Sequence, residues 1–383
     1  MKKLNKRDSI DKRNSSIELL KVFGIILIVI SHVIQTLHSQ NTHIMQNDYV
    51  LDISMATTNV QQLIIVFLRY SGALGNTIFF CCSAWFLLDN DNVSKKKAFQ
   101  MLVDVWVVSV ITLIAVYIIK DGNIGIKIII KQLLPTTFEN NWYITCYLLF
   151  YLLHPFLNQL IKNMEQKALL KTALFLLFLY VCVNYIFAGS FFSTYLILWV
   201  TLYITIAYMK YYLVDLSNNT KVNIIMLLIG FAGNISIVLL TNYLGLHLGV
   251  FRNWLLRWNT SCSPFLILIA ISMLNIAKNV CSYNKTVNYI SSLSLLIYIF
   301  HENQLLRIFY RPLLWNFVYS QFGYEYILFW LFVLVIIVFG FGLIASIIYK
   351  NTIQKIVANL CNRVYPSLQK IYGIIEHKIL KFH

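Results

Sequence analysis

Long blocks of apolar residues recur along the chain, separated by short stretches that hold most of the charge. The first block, 17–36, reads IELLKVFGIILIVISHVIQT, and others occupy 62–88, 98–119, 142–161, 168–187, 193–212, 222–245, 260–279, 290–310 and 326–349. Each approaches the ~20 residues that a helix rising 1.5 Å per residue needs to cross a hydrocarbon core about 30 Å thick. Backbone in lipid must satisfy its own N–H and C=O groups, and a continuous helix does this within one segment. The pattern predicts an all-α, polytopic integral membrane protein with about ten transmembrane helices.

Composition agrees with the pattern. Of 383 residues 59% are hydrophobic and only 12% charged, a balance too apolar for a soluble domain. The first block follows MKKLNKRDSIDKRN, but it is too long for a signal-peptide core and no small-residue cleavage site follows, so it reads as a retained first helix. Charge then orients the chain. With the N-terminus inside and ten helices, 22 of the 31 Lys and Arg residues fall in cytoplasmic segments and seven in external ones, with Lys21 and Arg69 intramembrane. Short loops retain Lys and Arg on the cytoplasmic side, so this asymmetry places both termini inside.

The net charge of +16 is thereby accounted for by topology and anionic lipid headgroups, and a nucleic-acid partner is discounted. Seven cysteines, mostly within apolar runs and without a CxxC pair, suggest neither a disulfide framework nor a zinc site, and no metal is expected. Three parts follow. Residues 1–16 form a basic cytoplasmic tail, 17–349 the membrane domain, and 350–383 a second basic tail. The last mixes apolar residues with Lys355, Lys370, Lys378 and Lys381, and reads either as an amphipathic segment on the inner leaflet or as a partly ordered basic tail.

Ionisable groups inside the apolar blocks carry the candidate chemistry, because they are costly in lipid and normally face a bundle interior or a watery cavity. Glu18, Lys21 and His32 are three and eleven residues apart, near multiples of a helical turn, so they share one face of the first helix. Glu18 and Lys21 either line a site or pair near cytoplasmic water. His32 lies deeper, in the outer half of the core, as a general base, a proton relay or a hydrogen-bonded packing residue. Arg69 sits in IIVFLRYSG, where it either clamps a phosphate or balances Glu18, or else lies near the outer end of its helix; His301, Glu302, Asn303 and Arg307 form a polar cluster read at the outer end of the ninth helix, either a site for hydroxyl groups or a helix-end cap. Trp142 and Tyr143 suit an aromatic stacking platform or an aromatic belt, His154 a cap of the fourth helix at the inner face, and Asp104 a structural partner for some polar group.

Lys21-VFGIILIVIS-His32, a basic residue, ten others and a histidine on the first helix, resembles the signature of the membrane-bound acyltransferase-3 family. GALGNTIFFCCSAWFLL (72–88), NNWYITCYLLFYLLHPFLN (140–158) and SLSLLIYIFHENQLLR (292–307) resemble its later motifs, in order. Ser83-Ala84-Trp85 departs from the usual Ser-Gly-Tyr or Ser-Gly-Phe. Lys95-Lys96-Lys97 stands where many members have Arg-x-x-Arg.

The resemblance implies a membrane O-acyltransferase of the bacterial surface-polysaccharide type. It would move an acyl group, commonly acetyl from acetyl-CoA, to a hydroxyl of a cell-surface glycan or its lipid-linked precursor. Acetyl-CoA or another acyl-CoA is then donor substrate, and no bound cofactor is expected. His32 with Glu18 would be catalytic. Lys21, Arg69, Ser83, Lys95, Lys96 and Lys97 would bind the donor, and Trp142, His301, Glu302, Asn303 and Arg307 the acceptor. Membrane lipids, acyl-CoA and glycan are the implied partners, in the plasma membrane of a bacterium whose Lys, Asn and Ile bias suggests an AT-rich genome. A polysaccharide flippase, polymerase or other transporter is the alternative; it would share the helices and embedded charges but has no need of the Lys21-to-His32 spacing.

Overall fold

The computed structural model describes residues 14–35, 59–69, 71–138, 141–186, 195–248, 261–323 and 325–380. Most of the N-terminal tail, and Arg252 and Arg257 from the charge count, lie outside them. The chain is helical throughout the described residues, with no strand among them. In order, the helices are α1 (Ser15–Ile34), α2 (Asn59–Arg69), α3 (Ser71–Leu87), α4 (Lys95–Ile119), α5 (Ile126–Leu133), α6 (Trp142–Asn163), α7 (Gln166–Leu176), α8 (Asn184–Ile186), α9 (Tyr195–Tyr212), α10 (Val214–Asn218), α11 (Thr220–Leu248), α12 (Pro264–Asn279), α13 (Lys285–Ser292), α14 (Ser294–His301), α15 (Arg311–Phe322), α16 (Ile327–Asn351) and α17 (Ile353–Leu380). Wider π-helical turns, Leu177–Val183 and Leu306–Tyr310, join α7 to α8 and precede α15.

Local chemistry sets several helix starts. Asn14 caps α1 by accepting the Ser16 N–H (2.9 Å), Ser94 caps α4 by accepting that of Lys97 (3.3 Å), and Ser263 precedes Pro264 at the head of α12. Seven helical stretches among the described residues are long and apolar enough to cross a membrane, α2 and α3 counting together from Leu63 to Leu87. The remaining expected spans take other forms. Tyrosine-rich α9 is less apolar, α12 has 16 residues, and the block 290–310 is divided at Glu302 and Asn303.

α1 lies at the centre, touching α2, α3, α12, α13, α14 and α16. Its closest crossing is with α3, where a β-carbon added at Gly75 would lie 2.4 Å from the Gly24 carbonyl oxygen and 2.9 Å from Ile28. Small residues let helix backbones approach in this way. Ser71 fastens the same pair by donating to the Leu27 carbonyl (2.7 Å), and Ser31 ties α1 to the end of α2 by donating to the Arg69 carbonyl (2.5 Å). Enclosure on several sides explains why α1 carries polar groups: most of them meet protein rather than lipid.

Asp104, expected to partner an unidentified polar group, is buried and accepts from Tyr349 (2.8 Å) and Gln354 (2.9 Å), tying α4 to α16 and α17. His154 does not cap the end of α6. It is buried inside that helix, held between the carbonyls of Asn90 (3.0 Å) and Tyr151 (2.6 Å). The described part of the C-terminal tail is helical in α17, with Ile356, Leu360, Val364 and Leu368 exposed.

Candidate active site

The last turn of α1 presents His32 to the end of α14. There the helix stops at His301, because Asn303 turns its side-chain oxygen onto the Leu305 N–H (3.0 Å) and the chain resumes as the π turn and α15. A broken helix inside a bundle leaves backbone carbonyls that need donors. Arg311, at the head of α15 and followed by Pro312, supplies them. Its guanidinium donates to the carbonyls of His301 and His32 (3.2 Å to the latter), while Trp315 Nε1 donates to that of Val33 (2.8 Å). The end of α1 and the end of α14 are thus joined through α15.

Three side chains meet at this junction. His32 Nδ1 lies 2.8 Å from Glu302 Oε2 and 3.0 Å from His301 Nε2, and the two imidazoles stack with centroids 5.2 Å apart. His301 Nδ1 lies 2.7 Å from the Ile297 carbonyl, which only accepts, so Nδ1 carries the proton and Nε2 the lone pair. His32 Nδ1 therefore faces two acceptors and is itself the protonated nitrogen. The neutral His32 ring then holds its lone pair on Nε2, a tautomer inferred from the network. Glu302 is saturated from the other side, accepting from Arg307 on Oε1 (2.9 Å) and from Arg311 on Oε2 (3.3 Å). His301, Glu302 and Arg311 are almost wholly enclosed, whereas His32 remains 13% and Arg307 30% exposed. The cluster opens at Arg307 and, less widely, at His32.

His32, His301 and Glu302 would also offer three ligand atoms to a metal ion, all within 4.8 Å. The donor set argues for a hydrogen-bonded cluster instead. Two guanidinium groups already engage the carboxylate, and a divalent cation would add charge beside them.

The other expected residues distribute over the bundle. Glu18 is buried about 21 Å along α1 from His32, at 1.5 Å per residue. It pairs with Lys21 (3.3 Å) and accepts from Ser291, so it joins the Lys21 end and not the His32 cluster. Arg69 lies at the opposite end, beside Ser31, away from the Lys21 region with which it was grouped. Ser83 donates to the Phe79 carbonyl (3.0 Å) within α3, and Lys95, Lys96 and Lys97 are exposed at the head of α4. Trp142 stacks on Tyr195 at 4.1 Å and adjoins Tyr143, which reaches Tyr298 and through it the edge of His301. Asn303 is buried and committed to the turn.

Sequence reading missed Arg311 by counting it as an external loop charge. Nine residues of straight helix would place Glu302 and Arg311 on opposite faces, about 180° apart. The break and the π turn bring them together. The one available signal was the Arg-Pro pair that opens a helix just after an ionisable cluster.

An all-α bundle of long apolar helices, with His, Glu and Arg side chains clustered inside it where α1 and α14 end, defines the class: a polytopic integral membrane protein with an enclosed ionisable cluster. The family can be named more closely, because an acyltransferase-domain model matches residues 14–349. The chain belongs to the acyltransferase-3 family and is a membrane acyltransferase. No curated protein and no solved structure matches it.

Proposed function

We infer that the protein transfers an acyl group, acetyl in the simplest case, from acyl-CoA to a hydroxyl of a cell-surface polysaccharide or its lipid-linked precursor. The observation that carries this reading is the 2.8 Å contact of His32 Nδ1 with Glu302, which leaves the opposite nitrogen of a partly exposed imidazole as the proton acceptor. An alcohol must lose its proton as it attacks a thioester carbonyl, and imidazole is matched to that task near neutral pH. In the proposed step the acceptor O–H proton passes to His32 Nε2 as the oxygen bonds to the carbonyl carbon. The C–S bond then breaks, and the CoA sulfur takes the proton from the imidazolium. Glu302 holds the ring and balances its transient charge, and Arg307 and Arg311 hold Glu302.

Lys21 sits about 16 Å along α1 from His32, too far to act on the same atom but suited to the distant end of a long donor. The orientation that goes with this is ten crossings with both termini cytoplasmic in a bacterial plasma membrane, the donor entering at the Lys21 end and the acceptor meeting His32 from outside. Proton NMR of surface glycan from a deletion strain, complemented with wild type or with His32→Ala, tests the reading. The O-acetyl signal should vanish in the deletion, return with wild type and stay absent with the variant. Its return with a well-folded His32→Ala protein would refute the catalytic assignment and favour a transporter.

A further inference from the structure

Three helices deliver lysines to one aromatic step at the Lys21 end of the bundle. Trp85 and Phe86 form it, near the end of α3. Lys210, near the end of α9, places Nζ 4.4 Å from the Trp85 ring centroid, and Lys278, near the end of α12, places its own at 4.8 Å. Lys21 of α1 lies 5.2 Å from the ring of Phe86. Trp85, Lys210 and Lys278 are half-buried, so the group is built into the end of the bundle and still open to it.

The carboxylates there do not match this convergence. Lys21 pairs with Glu18, and Lys210 with Asp89 (2.6 Å) and the Trp85 carbonyl (2.7 Å). The oxygens that receive Lys278 are neutral, Ser217 Oγ and Asn218 Oδ1, each at 2.8 Å. Two ammonium groups held over one indole repel each other, and partial desolvation enlarges that repulsion. A cation over an aromatic face gains only about 0.5–2 kcal/mol, which fixes the position of each lysine but does not neutralise it. A phosphate between them would satisfy both.

We propose that Lys210 and Lys278, seated on Trp85, bind a phosphate of the nucleotide end of acyl-CoA. This rests on the acyl-CoA reading above and adds, beside Lys21, a phosphate anchor made of residues outside the sequence-derived donor set. Spacing along the bundle fits. Trp85 lies thirteen residues of α3 from Gly72, where an added β-carbon would lie 2.8 Å from Ser31, the neighbour of His32, so roughly 20 Å separates the phosphate anchor from the base. A donor whose thioester sits at the far end of a long arm suits such a gap, and a short acyl phosphate does not. An anionic lipid headgroup carries the same phosphate chemistry, so the test separates the two sources.

Full-length protein in phosphatidylcholine nanodiscs, and again with phosphatidylglycerol added, is assayed with acetyl-CoA and with acetyl-N-acetylcysteamine, which keeps the thioester but has no phosphate. Lys278→Gln should raise KM for acetyl-CoA about tenfold in both nanodiscs while leaving turnover of the truncated thioester unchanged, and Lys278→Arg should restore acetyl-CoA binding. Trp85→Leu should reproduce the selective loss. An equal loss with both thioesters marks a structural role and overturns the proposal, as does unchanged acetyl-CoA binding. A change seen only with phosphatidylglycerol present assigns the lysines to lipid and also overturns it. Wild-type protein that neither binds acetyl-CoA nor consumes either thioester would defeat the donor reading itself, an outcome distinct from those above.

Discussion

His32 Nδ1 and Glu302 Oε2 lie 2.8 Å apart although they come from opposite ends of the chain. The contact is made inside the bundle and held by two arginines, so changing Glu302 has two separable effects. Glu302→Gln keeps the shape but leaves Arg307 and Arg311 without their carboxylate. Removing one partner of a buried ion pair costs about 3–5 kcal/mol, and losing the orientation of a general base costs on the order of 10²–10⁴ in rate. Thermal unfolding in detergent should show a clear drop, and acyl transfer should fall further than the unfolded fraction explains. A variant with normal stability and normal transfer would remove Glu302 from the site.

Arg311→Lys tests the joint between the broken helix and α1. A guanidinium serves the carbonyls of His32 and His301 together with the Glu302 carboxylate, a fork that one ammonium does not reproduce. Charge is conserved, so a fall in kcat with little change in donor KM would identify a positioning role, measured by initial rates over a range of acyl-CoA. An unaltered kcat would show that charge alone suffices.

Asn303→Ala should destabilise more than a typical surface change. Its side chain accepts the buried Leu305 N–H at 3.0 Å, and an unsatisfied buried donor costs about 1–3 kcal/mol. Because the turn places His301 and Arg311, activity should fall with stability, and Asn303→Asp should recover much of both. Loss of acylation without any loss of stability would favour direct acceptor binding by Asn303.

Gly75→Ala adds a methyl group that meets the Gly24 carbonyl at 2.4 Å, so α1 and α3 must separate. Overpacking of this kind costs about 1–3 kcal/mol. Gly340 of α16, with nothing within 4 Å of an added β-carbon, is the control and should tolerate alanine. Equal unfolding temperatures for the two variants would contradict a tight α1–α3 crossing.

The orientation proposed from charge is checked by reporter fusions. Those after Lys97, Lys171, Lys221 and Lys285 should report a cytoplasmic location, and one near Lys127 an external one. An external signal at Lys97 or Lys285 would overturn the ten-crossing arrangement.

Hydrophobic block length alone made the all-α membrane class readable, since lipid leaves the backbone few other ways to satisfy its hydrogen bonds. The Lys21-to-His32 spacing was likewise legible, because periodicity within one uninterrupted helix fixes which side chains share a face. The same periodicity left open the Glu18–Lys21 pair, but it could not show that Glu18 also receives Ser291, or that His32 meets His301 and Glu302. Those contacts join segments remote in sequence, and they depend on where α14 breaks and how far the π turn rotates Arg311 back toward Glu302. Trp85 with Lys210 and Lys278 has the same origin, three helix ends brought to one place by packing. The one-dimensional pattern determined which residues are buried in helices and where charge is unusual. Tertiary structure decided which of those charges answer one another, because in a bundle the neighbours of a side chain belong mostly to other helices.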